Sequence, residues 1–147
     1  MLNQDIKYFI DIKRLAVVGV SRHQKKFGNK IFSELKRRGY QVYPVNPALQ
    51  EIHGEPCYPD LTALQDLVDG AVICISPSGV PSVLQEAAAI GMKNIWVQTC
   101  AESPESTKLG RDLGLNLVVG KCIMLYAEPV PIYHRFRRFF ARIFRKL

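Results

Sequence analysis

The chain has 147 residues, of which 48% are hydrophobic, and it carries a formal net charge of +7. This length allows one domain with a sizeable core, and the composition excludes a disordered chain. No apolar run approaches the ~20 residues that cross a bilayer, and the N-terminus has no apolar leader, so we expect neither a membrane span nor a signal peptide.

Five short apolar runs alternate with helical patterns along the chain. The runs are continuous rather than alternating, which is typical of strands covered on both faces of a sheet. Pro44 in the second run indicates a sheet edge or a strand end, because proline has no N–H to donate. The predicted strands span residues 15–20, 41–45, 71–75, 94–98 and 115–119.

The segments between these strands predict helices. Gly39 is a natural residue to follow the first helix. Ser78 can cap the third helix, which has Pro81 in its first turn. The predicted helices lie at residues 27–38, 62–68, 80–88 and 104–113, whereas residues 48–60 have no clear period and are predicted to be a loop.

Strands that alternate with helices in one short chain imply parallel pairing with right-handed crossovers. We therefore predict an α/β fold, a doubly wound, Rossmann-like and mainly parallel five-stranded sheet with helices on both faces. One domain would span residues 1–130.

The loop after the first strand is a candidate phosphate site. The strand ends at Gly19, Val20 and Ser21, a basic loop follows, and a helix begins near Phe27 and Gly28. Ligands of such sheets sit beyond the carboxyl ends of the strands, and helix N-termini attract phosphates. The alternative is a solvated basic loop that uses glycine only for its turn.

A nicotinamide dinucleotide is disfavoured by two features. Only Gly19 fits the GxGxxG fingerprint, since the next glycine is Gly28. The second strand ends in Val45-Asn46-Pro47, where NAD needs an acid and NADP an arginine.

Several motifs in order resemble the stand-alone bacterial and archaeal CoA-binding domain proteins, which are similar to the CoA-binding N-terminal domain of the succinyl-CoA synthetase α subunit. The motifs are LAVVGVS, GYQVYPVNP, EIHGEPCYPDL, a strand ending near Ser76-Pro77, and NIWVQ. The resemblance covers roughly residues 10–130. One departure is Gly28, where many relatives have serine, and another is Lys25-Lys26 in place of an arginine-bearing loop.

The resemblance implies coenzyme A or an acyl-CoA as the ligand, with specific residues in each part of the site. The implied phosphate contacts are Gly19, Val20, Ser21, Lys26, Phe27, Gly28, Asn29 and Lys30. The implied adenosine contacts are Val45, Asn46 and Pro47, and the implied pantetheine contacts are Ser76, Pro77, Val80 and, at the far end, Gln98.

No catalytic or metal constellation is visible in the sequence. The three histidines are His23, His53 and His134, without HxxxH or HExxH spacing. The second domain that carries the phosphorylated histidine in the related synthetases is absent from this sequence. We therefore predict a binding module without catalytic activity and without a structural metal. The alternatives are an NAD(P)-dependent oxidoreductase domain and an RNA or membrane adaptor.

The four cysteines form no CxxC pair, which favours reduced thiols in the cytoplasm. Cys100, at the end of the fourth strand, has two interpretations. One is a mixed disulfide with the CoA thiol. The other, which we favour from sequence, is a small buried residue in a turn. Cys74 is predicted to be core.

Residues 131–147 predict an amphipathic helix with an aromatic face and a basic face. They hold six of the 20 Lys and Arg and no Asp or Glu, so the other 14 basic residues nearly balance the 13 acids. The favoured prediction packs this helix on the same domain. A homodimer contact, an anionic membrane surface and nucleic acid are the alternatives.

Overall fold

The computed structural model describes residues 4–23 and 25–129, so the predicted helix over residues 131–147 lies outside the described residues. The described chain forms one five-stranded sheet and one small hairpin. The strands are β1 (Arg14–Val18), β2 (Gln41–Val45), β3 (Glu51–Ile52), β4 (Glu55–Pro56), β5 (Gly70–Ile73), β6 (Asn94–Gln98) and β7 (Asn116–Lys121). The helices are α1 (Gln4–Ile10), α2 (Phe27–Arg37), α3 (Val80–Ala89) and α4 (Pro104–Asp112), and single 3₁₀ turns lie at Thr62–Leu64, Pro77–Gly79 and Ile123–Leu125.

The main sheet has the order β2-β1-β5-β6-β7, and every neighbouring pair is parallel. The chain runs from β1 outward to β2, then returns past β1 to β5, so the winding direction reverses between β1 and β5. This reversal is the switch point at which doubly wound sheets bind ligands. The predicted fold class is confirmed, and β2 is an edge strand, as Pro44 indicated.

Helices cover both faces of the sheet. One apolar cluster, which includes Phe9 of α1 and Leu35 of α2, buries Trp96 completely, and the Phe9 and Trp96 ring centroids are 5.4 Å apart. The opposite cluster contains Leu84 and Ala87 of α3. Within the described residues, no helix has the length and apolar character that crossing a membrane requires.

Four local predictions need correction. Residues 62–68, predicted to be a helix, form only a 3₁₀ turn at Thr62–Leu64. Residues 48–60 contain the β3–β4 hairpin, whose two-residue turn places His53 at φ 50° and Gly54 at φ 78°. His-Gly is not among the usual turn pairs, so the signal is weak. Helix α1 was not predicted, although Ile6, Phe9 and Ile10 are buried at helical spacing. Ser78 does not cap α3, because Pro77–Gly79 forms a 3₁₀ turn and Gly79 takes the cap position.

The arginine that caps the C-terminus of α2 holds the C-terminal end of the described chain. The Arg38 Nη1 atom donates to the carbonyl oxygens of Met124 at 2.8 Å and Ala127 at 2.6 Å, and its Nε donates to Glu34 Oε1 at 2.8 Å. Hydrogen bonds from Arg37 and Arg38 lower the pKa of Glu34 from 4.5 to about 2. The ionised carboxylate therefore orients the guanidinium that anchors this segment.

Glu34→Gln should lower the melting temperature at neutral pH. A carboxyl whose pKa is depressed by folding contributes stability above its ordinary value, and that contribution is lost as the folded form becomes protonated. The difference between wild type and variant should therefore shrink as the pH falls from about 4.5 to about 2. Thermal unfolding across this range measures it, with Glu51→Gln at an exposed position as control. A difference independent of pH would contradict the assignment.

Candidate functional site

A groove of about 680 Å³ crosses the carboxyl ends of four neighbouring strands. It begins beside β2, passes the switch point after β1, and continues past β5 to β6. The side chains and backbone that line it are Gly19, Val20, Ser21, Lys26, Phe27, Gly28, Asn46, Cys74, Ile75, Ser76, Thr99, Cys100 and Ala101. The groove thus joins the predicted phosphate loop to the segments that follow the third and fourth strands of the main sheet.

Two glycines set the floor of the groove. Gly19 has φ 121°, and a Cβ there would overlap the carbonyl of Cys74. A Cβ at Gly28 would overlap the carbonyl oxygen of Gly19. The start of α2 therefore rests directly on the backbone that leaves β1. In a dinucleotide-binding fingerprint, the last glycine allows the helix to pack closely on the strand. Gly28 has the same effect here.

Two asparagines hold the loop in place. The Asn29 Oδ1 atom accepts from the Ser21 amide at 2.7 Å, and its Nδ2 donates to the Ser21 carbonyl at 2.6 Å. The Asn46 Nδ2 atom donates to the Val20 carbonyl at 2.7 Å, while its Oδ1 accepts from the Ala48 amide at 2.8 Å. Both side-chain amides are therefore engaged with backbone, and they tie the loop to α2 and to the end of β2.

The N-terminus of α2 opens into the groove without a side-chain cap. Its cap residue, Lys26, makes no side-chain cap bond, and the first turn contains no acid. The first amides of a helix lack intrahelical acceptors and carry partial positive charge, so the Phe27 and Gly28 end suits an anion. Exposed Arg22 and Lys25 add cations nearby.

The far end of the groove carries thiols and hydroxyls. Cys74 is half-buried and Cys100 is exposed, and both line the groove. The sequence-based assignment of Cys100 to a buried turn is therefore wrong, because the thiol is exposed. Cys74 packs against the core, as predicted, but it is only half-buried and also lines the groove. Cys100 lies at φ 76°, in a turn closed by the Ala101 amide on the Gln98 carbonyl at 2.9 Å, and this turn projects past the strand end.

Seven of the predicted site residues do not line the groove. Four of them are buried, Asn29, Val45, Val80 and Gln98, and three are exposed outside it, Lys30, Pro47 and Pro77. Gln98 is fully buried because it shares a face of β6 with Trp96, and its Oε1 accepts from the Ile123 amide at 3.1 Å. For these seven residues, contact with a ligand stays a prediction.

Sequence reasoning missed four lining residues, Cys74, Ile75, Thr99 and Ala101. They share one signal, which is that each lies within three residues of the carboxyl end of β5 or β6. Ligands of parallel sheets sit at the carboxyl ends of several strands, so the positions that follow β5 and β6 are the signal in the sequence for this half of the groove.

Fold and groove together define a doubly wound domain with an uncapped helix N-terminus at its switch point. The sequence matches the family model described as the CoA binding domain over residues 13–128. The chain therefore belongs to the CoA-binding domain family, and the predicted resemblance is confirmed.

Relatives of two sizes share this domain. The chain is 34% identical over 99 residues to an ADP-forming acetate–CoA ligase of Methanocaldococcus jannaschii. The aligned region covers 67% of this chain but only 14% of the ligase. The chain is 23% identical over 111 residues to an uncharacterized protein of Bacillus subtilis, YneT, covering 76% of this chain and 82% of that protein. The chain therefore corresponds to a small part of the ligase.

Solved structures repeat this division. A conserved hypothetical protein of Pyrococcus furiosus superposes with a TM-score of 0.74 at 36% identity, covering 77% of this chain and 97% of that one. The dinucleotide-forming acetyl-coenzyme A synthetase 1 of Ca. Korarchaeum cryptofilum, in complex with phosphate and ADP, gives a TM-score of 0.63 at 30% identity, covering 72% of this chain and 25% of that one.

Gly28→Ala should destabilise the protein by about 1–3 kcal/mol, because the new methyl group overlaps the Gly19 carbonyl. Inside a helix, replacing glycine with alanine normally stabilises the protein by ~1 kcal/mol. We expect the opposite effect at Gly28. Urea unfolding measures the change. Ser33→Ala, at an exposed position of the same helix, should shift stability by less than about 0.5 kcal/mol. A Gly28→Ala variant as stable as wild type would show that this contact is not tight.

Proposed function

We propose that the groove binds coenzyme A or an acyl-CoA reversibly and that the chain catalyses no reaction of its own. The observation that carries this proposal is the uncapped N-terminus of α2, which opens beside basic residues into a groove at the switch point of a CoA-binding domain. The free cysteines fit the reducing cytoplasm, where we expect the protein to act.

The phosphates of the ligand would occupy the loop end of the groove. Lys26 and the first amides of α2 supply a cation and hydrogen-bond donors at this end. The Ser21 amide is taken by Asn29, but its hydroxyl, which accepts from the His23 amide at 3.2 Å, keeps its own proton to donate. This loop would therefore grip phosphate through α2 and side chains more than through the Ser21 backbone.

The remaining parts of the ligand follow from the order of the strands. The adenosine would lie beside Asn46 at the end of β2, where the predicted contacts Val45 and Pro47 flank it. The pantetheine arm would run along Ile75 and Ser76 after β5, past the predicted contacts Pro77 and Val80. A flexible and partly apolar arm suits a groove wall of this kind.

A nicotinamide coenzyme is the weaker candidate for this groove. Binding of its ribose needs a carboxylate at the end of β2. That place is held by Asn46, whose amide group is engaged with the Val20 carbonyl and the Ala48 amide. The wall of the groove therefore offers the adenosine a surface but no acid for a ribose diol.

The side chains of the groove support a binding role rather than catalysis. Among the described residues that line it, the ionisable groups are one lysine and two thiols. Residues 4–23 and 25–129 contain no cluster of three or more His, Cys, Asp or Glu that could hold a metal ion. An anion held by a lysine and helix amides needs neither a base nor a metal.

Titration calorimetry with CoA, ADP and NAD under reducing conditions tests the proposal. CoA should bind at least about tenfold more tightly than NAD, a difference of about 1.4 kcal/mol. ADP should bind more weakly than CoA, because it lacks the pantetheine arm. Tighter binding of NAD than of CoA would refute the proposed function.

Lys26→Ala should weaken CoA binding by about 1–2 kcal/mol, the order expected for one partly exposed charge-assisted contact. Lys93→Ala is the matched control, because it removes the same charge at an exposed position before β6, on the opposite edge of the sheet. Calorimetry of both variants distinguishes the loss of a direct contact between Lys26 and CoA from the effect of a lower net charge on CoA binding. Equal losses in the two variants would show that Lys26 does not face the ligand.

A further inference from the structure

Three thiols follow three adjacent strands at the edge of the sheet that holds the groove. Cys74 follows β5, Cys100 lies two residues after β6, and Cys122 follows β7. All three are free, and Cys74 and Cys100 both line the groove. The sequence separates these residues widely, so only the parallel sheet brings them to one edge.

The two groove thiols differ in their access to solvent. Burial raises the pKa of Cys74, and the nearby thiols of Cys122 and Cys100 raise it further. Cys74 therefore stays protonated over a wider range of pH, and its position against the core restricts approach to its sulfur. Cys100 is exposed, in a turn that stands clear of the strand end. Thiol exchange requires a thiolate that another sulfur can reach, which favours Cys100.

The distance between the phosphate loop and Cys100 suits a long thiol-bearing ligand. The loop follows β1 and Cys100 follows β6, so two strand spacings, about 10 Å, separate them across the sheet. The extended arm of CoA between its pyrophosphate and its thiol exceeds this distance. A CoA with its phosphates at α2 can therefore present its sulfur to the Cys100 end of the same groove.

We propose that Cys100 is a thiol-exchange site, at which the groove takes CoA from its disulfide form as a covalent mixed disulfide. This inference rests on the proposed function. The Cys100 thiol gives its proton to solvent, and its thiolate attacks one sulfur of the CoA disulfide. The S–S bond of that disulfide breaks, a Cys100–CoA disulfide forms, and the second CoA leaves as a thiolate that takes up a proton. The disulfide ligand supplies the oxidation, so no other oxidant is needed.

The consequence is a site whose occupancy depends on the redox state of the CoA pool. Reduced CoA and acyl-CoA bind reversibly, because neither offers a sulfur–sulfur bond. The disulfide form stays attached until another thiol reverses the exchange. The reaction is stoichiometric, one CoA for each chain, and agrees with a binding module that has no turnover.

Intact-mass spectrometry of the full chain, incubated with CoA disulfide and kept free of reductant, tests this inference. We expect one CoA adduct per chain, reversed by dithiothreitol and mapped to Cys100 by peptide analysis. Because binding places the two sulfurs together, the adduct should form at least about tenfold faster than with glutathione disulfide. Excess acetyl-CoA, whose sulfur is capped, should slow it by occupying the groove.

Single variants assign the reacting sulfur. Cys100→Ser should abolish the adduct, and circular dichroism should show that this variant is folded like the wild type. Cys122→Ser, which removes a thiol outside the lining of the groove, should keep the adduct. An adduct that is lost in Cys74→Ser but kept in Cys100→Ser would overturn the assignment to Cys100.

The same measurements separate this inference from the proposed function. CoA binding without an adduct would overturn the exchange site and leave the binding function standing. Equal rates with glutathione disulfide, unaffected by acetyl-CoA, would also overturn it, because Cys100 would then be an exposed thiol of no specificity. Absence of CoA binding in calorimetry would overturn both.

Discussion

The close approach of α2 to the end of β1 is the constraint on which the site depends. Two backbones meet at Gly28 and Gly19, and the second of these also lies against the Cys74 carbonyl after β5. A side chain at Gly28 would push the helix away from the sheet, and one at Gly19 would overlap the Cys74 carbonyl. The amide end of α2 then could not open into the groove at the height of the strand ends. The proposed anion site therefore depends first on this close packing and only then on charge.

The polar residues around this contact divide into those that build the groove and those that face it. Asn29 and Asn46 use their amide groups on backbone atoms of the loop, which fixes its shape. Lys26, by contrast, lies exposed at the mouth of α2. Fixing the loop in advance lowers the ordering cost of binding a flexible ligand. Replacement of Asn29 or Asn46 should therefore disturb the whole loop, whereas replacement of Lys26 should remove one contact with the proposed ligand.

The half of the groove that follows β5 and β6 contains two thiols, whereas the loop after β1 contains none. The turn after β6 carries an exposed thiol, while the turn after β5 carries a half-buried one. Their different burial makes one sulfur accessible and restricts access to the other within a single groove. In the proposed binding mode, a ligand held at α2 by its phosphates reaches this pair of thiols with its other end. The proposal therefore assigns both halves of the groove to one molecule.

The sequence by itself determined the alternation of strands and helices, the parallel sheet, the position of the loop between β1 and α2, and the family. These are carried by local signals, such as the continuous apolar run before Gly19 and the motifs in their order. It did not reveal the β3–β4 hairpin, because a His-Gly turn lacks the usual signal.

Tertiary structure decided which of the predicted residues line the groove and which others join them. Gln98 ends β6 at the same edge of the sheet as the groove. The alternation of side chains along β6 nevertheless places it on the same face as Trp96, where it is buried and accepts from the Ile123 amide. Cys74 and Cys100 look like core and turn residues in the sequence. They reach one groove because parallel strands bring their carboxyl ends to one edge, across separations in the chain that no local pattern records.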